Sequence, residues 1–239
     1  LETRDLRRQI QVVLRKDVKW KYSAPYIPRS HWVDQGHEDQ YIAEMIKLLK
    51  QIRKVTKQLR NGEQISVIIS ADVDVPLTHD DALLPHWSEL SDAIQICGGE
   101  GDLLRFTLCG IQLNQSVIEM FSRSLTLKCP IINLFMNDFM NQDGVNFAVE
   151  VMRNNPQMKA FNFKNSIQNE EIASQLCQSI MMHPEVESLG LQGCCNEGDT
   201  FGYTMLKTLL SSSTKSFVKL YLLGNQIRTD GCSILPDYI

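Results

Sequence analysis

The chain has 239 residues, 43% hydrophobic, 22% charged and 8% aromatic, with a formal net charge of −4. This is enough apolar material for a substantial core in one or two domains, and no run of about 18 apolar residues offers a bilayer-spanning helix. Charge is unevenly placed: residues 1–60 hold 14 Lys or Arg against seven Asp or Glu, leaving 10 basic and 21 acidic residues for the remainder. A basic front and an acidic back imply two regions with different roles, or regions that neutralise each other in the fold.

The opening LETRDLRRQ is too charged for a secretory signal, and Leu1 in place of a methionine leaves room for a natural start or processed leader ahead of it. Seven cysteines, at 97, 109, 129, 177, 194, 195 and 232, form no CxxC pair and have no histidines at zinc-finger spacing. They read as reduced, mostly buried thiols, which places the protein inside the cell, in the cytoplasm.

In chain order, a basic amphipathic helix is predicted over residues 1–18, built on Leu6, Ile10, Val13 and Leu14. A Pro-containing connector with Trp32 follows. The segment QYIAEMIKLLKQIRKVTKQLRNG then predicts a second helix with a stripe of Ile42, Met45, Leu49, Ile52 and Leu59. Lys47, Lys50, Lys54 and Lys57 lie off that stripe, and Asn61-Gly62 ends the helix. Two readings of residues 1–62 stand side by side. The helices could cap the open end of whatever follows, or present a basic surface to an acidic protein, a membrane surface, nucleic acid or another copy of the helix.

Residues 63–102 hold an alternating apolar strand (Ile65, Val67, Ile69) and a helix opened by Thr78 and two acidic residues in THDDALLPHWSELSDAIQIC, with Trp87 as a core anchor and CGGEGD as a loop. Beyond them one phrase recurs: FTLCGIQL at 106, INLFMNDF at 132, FNFKNSIQ at 161, LGLQGCCN at 189 and LYLLGNQI at 220. A period in the high twenties is the mark of stacked repeats. Each copy opens with a very short strand whose apolar pair points one way. Three residues after that pair come Asn137, Ser166, Cys194 and Asn225 in copies two to five, side chains able to bond backbone in a turn and stack as a polar ladder; Ile111 in the first copy departs. Helices between strands are marked by Phe147, Val151 and Met152, stopped at Asn-Asn-Pro, and by Ile172, Leu176 and Ile180, stopped at His183-Pro184. A basic side chain at that stop would favour the helix dipole.

These copies resemble the leucine-rich-repeat family, specifically its ribonuclease-inhibitor-like subtype, over residues 103–239. The wording is also similar to cytosolic repeat proteins of some unicellular algae, hence a eukaryotic chain. The resemblance implies an α/β solenoid with short parallel strands on a concave face, helices on the convex face and an N-terminal helical cap. Residues 63–102 read as a divergent first repeat whose Val67 aligns with Phe106. GCSILPDYI reads as the helix after the fifth strand without a polar cap, so the array is expected to continue beyond Ile239.

Catalytic signatures are missing. CGGEGD lacks the Lys-Ser/Thr of a phosphate loop and the dinucleotide glycine fingerprint. His79, Asp80 and His86 could be imagined as metal ligands but have no supporting cluster, and Cys194-Cys195 beside Glu197 has no nearby histidine to activate a thiol. No enzyme, cofactor, metal or small-molecule substrate is indicated. The expected function is a protein-interaction scaffold binding through the concave strands, at Arg105, Thr107, Ile131, Asn133, Phe135, Asn162, Lys164, Gln192, Lys219, Tyr221 and Leu223. Its basic residues are too sparse for a nucleic-acid stripe. The alternative is an assembly subunit attached to an acidic protein, membrane surface or nucleic acid through Lys47, Lys50, Lys54 and Lys57.

Overall fold

The computed structural model describes residues 20–62, 66–72, 75, 77–98, 105–125, 131–135, 142–164, 170–194, 205, 207–210 and 216–225. The basic segment 1–18, most of the CGGEGD loop, the turn positions Asn137 and Ser166, Cys195 with Glu197, and the helix expected at the C-terminus lie outside the described residues. So does the side chain of Phe135. The chain is α/β, with parallel strands alternating with helices, and divides into two compact units, Leu1–Cys129 and Pro130–Ile239. No helix among the described residues is long and apolar enough to cross a membrane.

In the first unit a short helix α1 (Ser30–Asp34) leads to α2 (Asp39–Arg60), strand β1 (Ser66–Ser70), a 3-10 turn (Asp81–Leu83), α3 (Leu84–Gly98), β2 (Arg105–Cys109) and α4 (Gln115–Ser124). All five predicted stripe residues of α2 are buried, joined by Leu48, Val55 and Thr56. The helix ends as the Asn-Gly pair requires: Gly62 adopts φ +67°, a left-handed conformation open to glycine, and its N–H reaches the Leu59 carbonyl. Helix α2 packs on α3, and α3 on α4. Trp32 and Trp87 are fully buried, the latter edge-on to Phe121, which also meets Phe106.

Strands β1 and β2 pair in parallel with Val67 opposite Phe106, the predicted alignment. Ile111, the departure from the polar ladder, is a core residue here: it bridges Leu77, and the Gln112 N–H donates to the Leu77 carbonyl. The start of α3 corrects the expectation for Thr78. Asp80 caps the turn instead, accepting from the Ala82 N–H at 2.8 Å, while the Thr78 hydroxyl pairs with Tyr41 at 2.8 Å.

The second unit contains β3 (Ile131–Phe135), α5 (Gln142–Asn154), β4 (Ala160–Lys164), α6 (Glu170–Met182), β5 (Ser188–Gln192) and β6 (Lys219–Tyr221). The four strands pair consecutively and in parallel, with Ile132 opposite Phe161, Phe161 opposite Leu189 and Leu189 opposite Leu220, the alignment of the repeated phrase. Ile132, Leu134, Phe161, Phe163, Leu189 and Leu191 are fully buried and share the core with Phe147, Val151 and Met152 of α5 and Leu176 and Ile180 of α6. Ile172 is only half-buried; Ala173 and Cys177 complete that stripe.

His183 corrects a second expectation. It is buried, and it acts as a hydrogen-bonded staple, not a charge against the helix end. Its Nδ1 accepts from the backbone N–H groups of Glu185 and Val186, both at 3.2 Å, which leaves the proton on Nε2 to donate to the Asn155 carbonyl at 3.0 Å.

Candidate functional site

The period of two along each strand sorts the second unit's side chains. Residues flanking the buried pairs form three rows across the strands. Ile131, Ala160, Ser188 and Lys219 make the first, and Asn133, Asn162, Gly190 and Tyr221 the second. Phe135, Lys164 and Gln192 make the third. Leu223 follows Tyr221 two residues on, and it is 75% exposed against 51% for Tyr221. Lys164 and Lys219 are exposed, Gln192 and Ile131 half-buried. The expected contact residues of this unit therefore share one face, with Asn133 an exception in accessibility. It is 8% exposed and its Oδ1 accepts from the Asn162 Nδ2 at 2.7 Å, so it holds the face together from beneath.

Gly190 is what lets this middle row close. A Cβ on Gly190 would stand 3.1 Å from the Asn162 Cγ and closer still to its Oδ1, so the carboxamide lies in the space that any other residue would fill. The row thus presents a fixed amide plane beside the Tyr221 ring.

At the ends of the strands the ladder expected from Cys194 and Asn225 is present. The Asn225 Nδ2 donates to the Leu191 carbonyl at 2.7 Å and to Leu222 at 3.0 Å, while its Oδ1 accepts from the Cys194 N–H at 2.8 Å. Cys194 makes the corresponding weaker contact one strand earlier, from Sγ to the Phe163 carbonyl at 3.8 Å. That thiol is structural.

The first unit carries Arg105, exposed, and Thr107, half-buried, opposite Ser66 and Ile68 of β1. The outer edge of β1 does not stay open: Ser70 turns its N–H and carbonyl to the Gln51 carboxamide of α2, at 3.1 and 2.7 Å. On the outer side of α2, Lys47, Lys50 and Lys54 line a shallow groove of about 290 Å³ with Ala43, Ile46 and Gln51. Lys47 is held by Glu44 at 3.0 Å, whereas Lys50, Lys54 and Lys57 make no ion pair with another described residue.

The imagined metal set is drawn apart. His79 pairs with Asp81 at 3.0 Å, Asp80 accepts from Trp32 Nε1 at 2.7 Å and from His31 at 3.0 Å, and His86 is wholly buried against Tyr22. Among the described residues no group of three or more His, Cys, Asp or Glu could hold a metal ion. Sequence reasoning missed the two clusters that bind the connector to α3. Asp80 fastens His31 and Trp32 of α1. His86 and Glu89 fasten Tyr22 and Ser23: the Tyr22 hydroxyl and His86 Nδ1 share a hydrogen bond of 2.7 Å, and Glu89 accepts from both the N–H (2.9 Å) and the hydroxyl of Ser23. Arg53 stands over the Tyr22 ring at 5.1 Å and Arg60 over Trp20 at 5.4 Å. Burial pushes the Tyr22 phenol well above its ordinary pKa, against the pull of Arg53.

No family model matches the chain, and no curated protein matches it in sequence.

Proposed function

We propose that this chain is a non-enzymatic scaffold of leucine-rich-repeat type that binds a protein partner through its strand face, within a reducing compartment of the cell. The observation that carries the reading is the character of that face in the second unit. Tyr221 and Leu223 stand exposed on a face that also carries two lysines without ion-pair partners among the described residues; on β3 to β5 the opposite side chains are fully buried, and on β6 Leu220 is half-buried. An exposed aromatic and aliphatic pair with a polar rim is the composition of a protein-binding patch. The consecutive strand pairing and the Cys194–Asn225 ladder support the repeat assignment.

Affinity capture from native extract tests it, comparing the unaltered chain with Tyr221→Ala/Leu223→Ser and with Lys50→Gln/Lys54→Gln/Lys57→Gln. Loss of one specific protein with the first variant alone supports the scaffold. Loss with the second alone, with steep salt dependence, favours attachment through α2, a reading supported by the groove beside Lys50 and Lys54.

A further inference from the structure

The scaffold reading leaves the partner's chemistry open, and the arrangement of charge on the strand face narrows it. None of the residues in the three rows or at Leu223 is acidic, although the chain as a whole carries more Asp and Glu than Lys and Arg. The two cations occupy opposite corners. Lys164 lies at the end of β4 and Lys219 at the start of β6, so the line between them runs diagonally across β5 and passes over Gly190, the partner of Asn162 on one side and Tyr221 on the other. At ordinary strand spacing and rise the two Cα positions are about 16 Å apart. Residues four apart in an extended peptide lie on one face and about 14 Å from each other, a separation that the long lysine and glutamate side chains extend to that span.

Between the corners the surface suits a backbone more than a bulky side chain. Gly190 contributes no side chain. The Asn162 carboxamide is immobilised over it through Nδ2 to Asn133, and its Oδ1 has no hydrogen-bond donor among the described residues. Gly190 is itself buried beneath that carboxamide, and an acceptor already held in place meets a peptide N–H without a further ordering cost. Ser188 and Gln192, both half-buried, flank the crossing on β5, and the Tyr221 ring borders it on β6.

We infer that the strand face of the second unit recognises an extended acidic segment of a protein partner, with two carboxylates four residues apart, on one face of the segment, engaging Lys164 and Lys219 and the backbone between them crossing over Gly190. This rests on the scaffold reading and specifies its ligand.

The test uses the full chain, ¹⁵N-labelled, and a capped ten-residue peptide of Ser, Gly and one Tyr with two glutamates four positions apart. One control peptide has the same composition with adjacent glutamates, and another has lysines in their place. The spaced glutamate peptide should shift the Gly190 backbone and Asn162 side-chain amide resonances and bind about fivefold more tightly than the adjacent version, the scale of one exposed ion pair. Lys164→Ala and Lys219→Ala should each remove that preference while leaving the remaining spectrum unchanged, and the lysine peptide should not bind. Equal binding of all three peptides, or no response at Gly190 and Asn162, overturns the inference. If the peptides fail while a protein captured from extract still depends on Tyr221 and Leu223, the acidic ligand is wrong and the scaffold reading survives. If capture is also indifferent to Tyr221 and Leu223, both fall.

Discussion

His183 closes on Asn155 across 28 residues, donating from Nε2 to its carbonyl at 3.0 Å while Nδ1 accepts two backbone N–H groups of its own turn. Asn155 and His183 stand at the same place in successive copies, just after α5 and α6 end, since the strands that follow are offset by the same interval. One ring therefore satisfies a donor-rich turn and ties it to the preceding helix end. His183→Ala should take the acceptor from the buried Val186 N–H, while the Asn155 carbonyl keeps the Met158 N–H at 2.9 Å, and cost about 1–2 kcal/mol. Urea unfolding followed by circular dichroism would measure it; a loss below about 0.5 kcal/mol would mean that water replaces the ring.

Asn225 and Cys194 provide a graded version of the same test. The carboxamide makes three hydrogen bonds where the thiol one strand earlier makes a long one to Phe163 and another to Gln192 at 3.5 Å. Thermal stability should fall in the order Asn225, Asn225→Cys, Asn225→Ala, with the alanine variant losing about 1–3 kcal/mol because the Leu191 carbonyl and Cys194 N–H lose their partner. An alanine variant as stable as the cysteine variant would deny the ladder any energetic role.

The strands, their registers, the α2 stripe and this ladder were legible in the sequence because each follows from a short period or from a phrase repeated at a fixed interval. Val67 could be aligned with Phe106 by pattern alone. The anchoring of the connector could not. Trp32 and Asp80 are 48 positions apart and Ser23 and Glu89 are 66 apart, with no periodicity linking them; only the packing of the segment across α3 brings each buried acid to its donors. Asp80 also took the capping role that Thr78 was expected to fill, because in this backbone its carboxylate reaches the Ala82 N–H. On the strand face, alternation told which residues point away from the core but not that Gly190 would admit the Asn162 carboxamide and so leave Asn133 covered.

The buried histidine in that anchor sets a pH dependence. Burial first, and the Arg53 guanidinium second, hold His86 below its ordinary pKa of 6.5, against Glu89 and the Pro25 backbone, which favour the cation. The unfolded chain therefore binds a proton more readily than the folded one. The His86 contribution is complete above about pH 6.5 and is lost as pH falls toward and through the lowered folded value. Melting temperatures measured from pH 8 to pH 5 should decline with acidification, and His86→Asn should flatten that slope. An unchanged slope would place the responsible group elsewhere.

Asp80 acts in a separate window. Burial raises its pKa, but the hydrogen bonds from the Ala82 N–H, Trp32 and His31 outweigh burial and bring the net value below the ordinary 3.8. Its stabilisation is present above that value and disappears as pH falls through the folded one. The difference in unfolding free energy between the unaltered chain and Asp80→Asn should hence be constant from pH 5 to pH 7 and shrink below about pH 4. A difference already shrinking near pH 6 would mean that the Asp80 carboxylate is not held below its ordinary value.

Gly190→Ala separates packing from propensity. Alanine in place of a strand glycine ordinarily stabilises by roughly 0.5–1 kcal/mol, because it reduces the freedom of the unfolded chain. Here the new methyl would take the place of the Asn162 carboxamide, which must swing away and break its bond to the buried Asn133. The expected sign is therefore reversed, a loss of about 1–2 kcal/mol. The double variant Gly190→Ala/Asn162→Ala removes the clash along with the amide, so alanine at 190 should be neutral or favourable in the Asn162→Ala background. A double-mutant cycle on unfolding free energies measures that coupling. Additive effects would mean that the two residues do not share this space, whereas coupling of about 1 kcal/mol or more would make the glycine a requirement of the amide row.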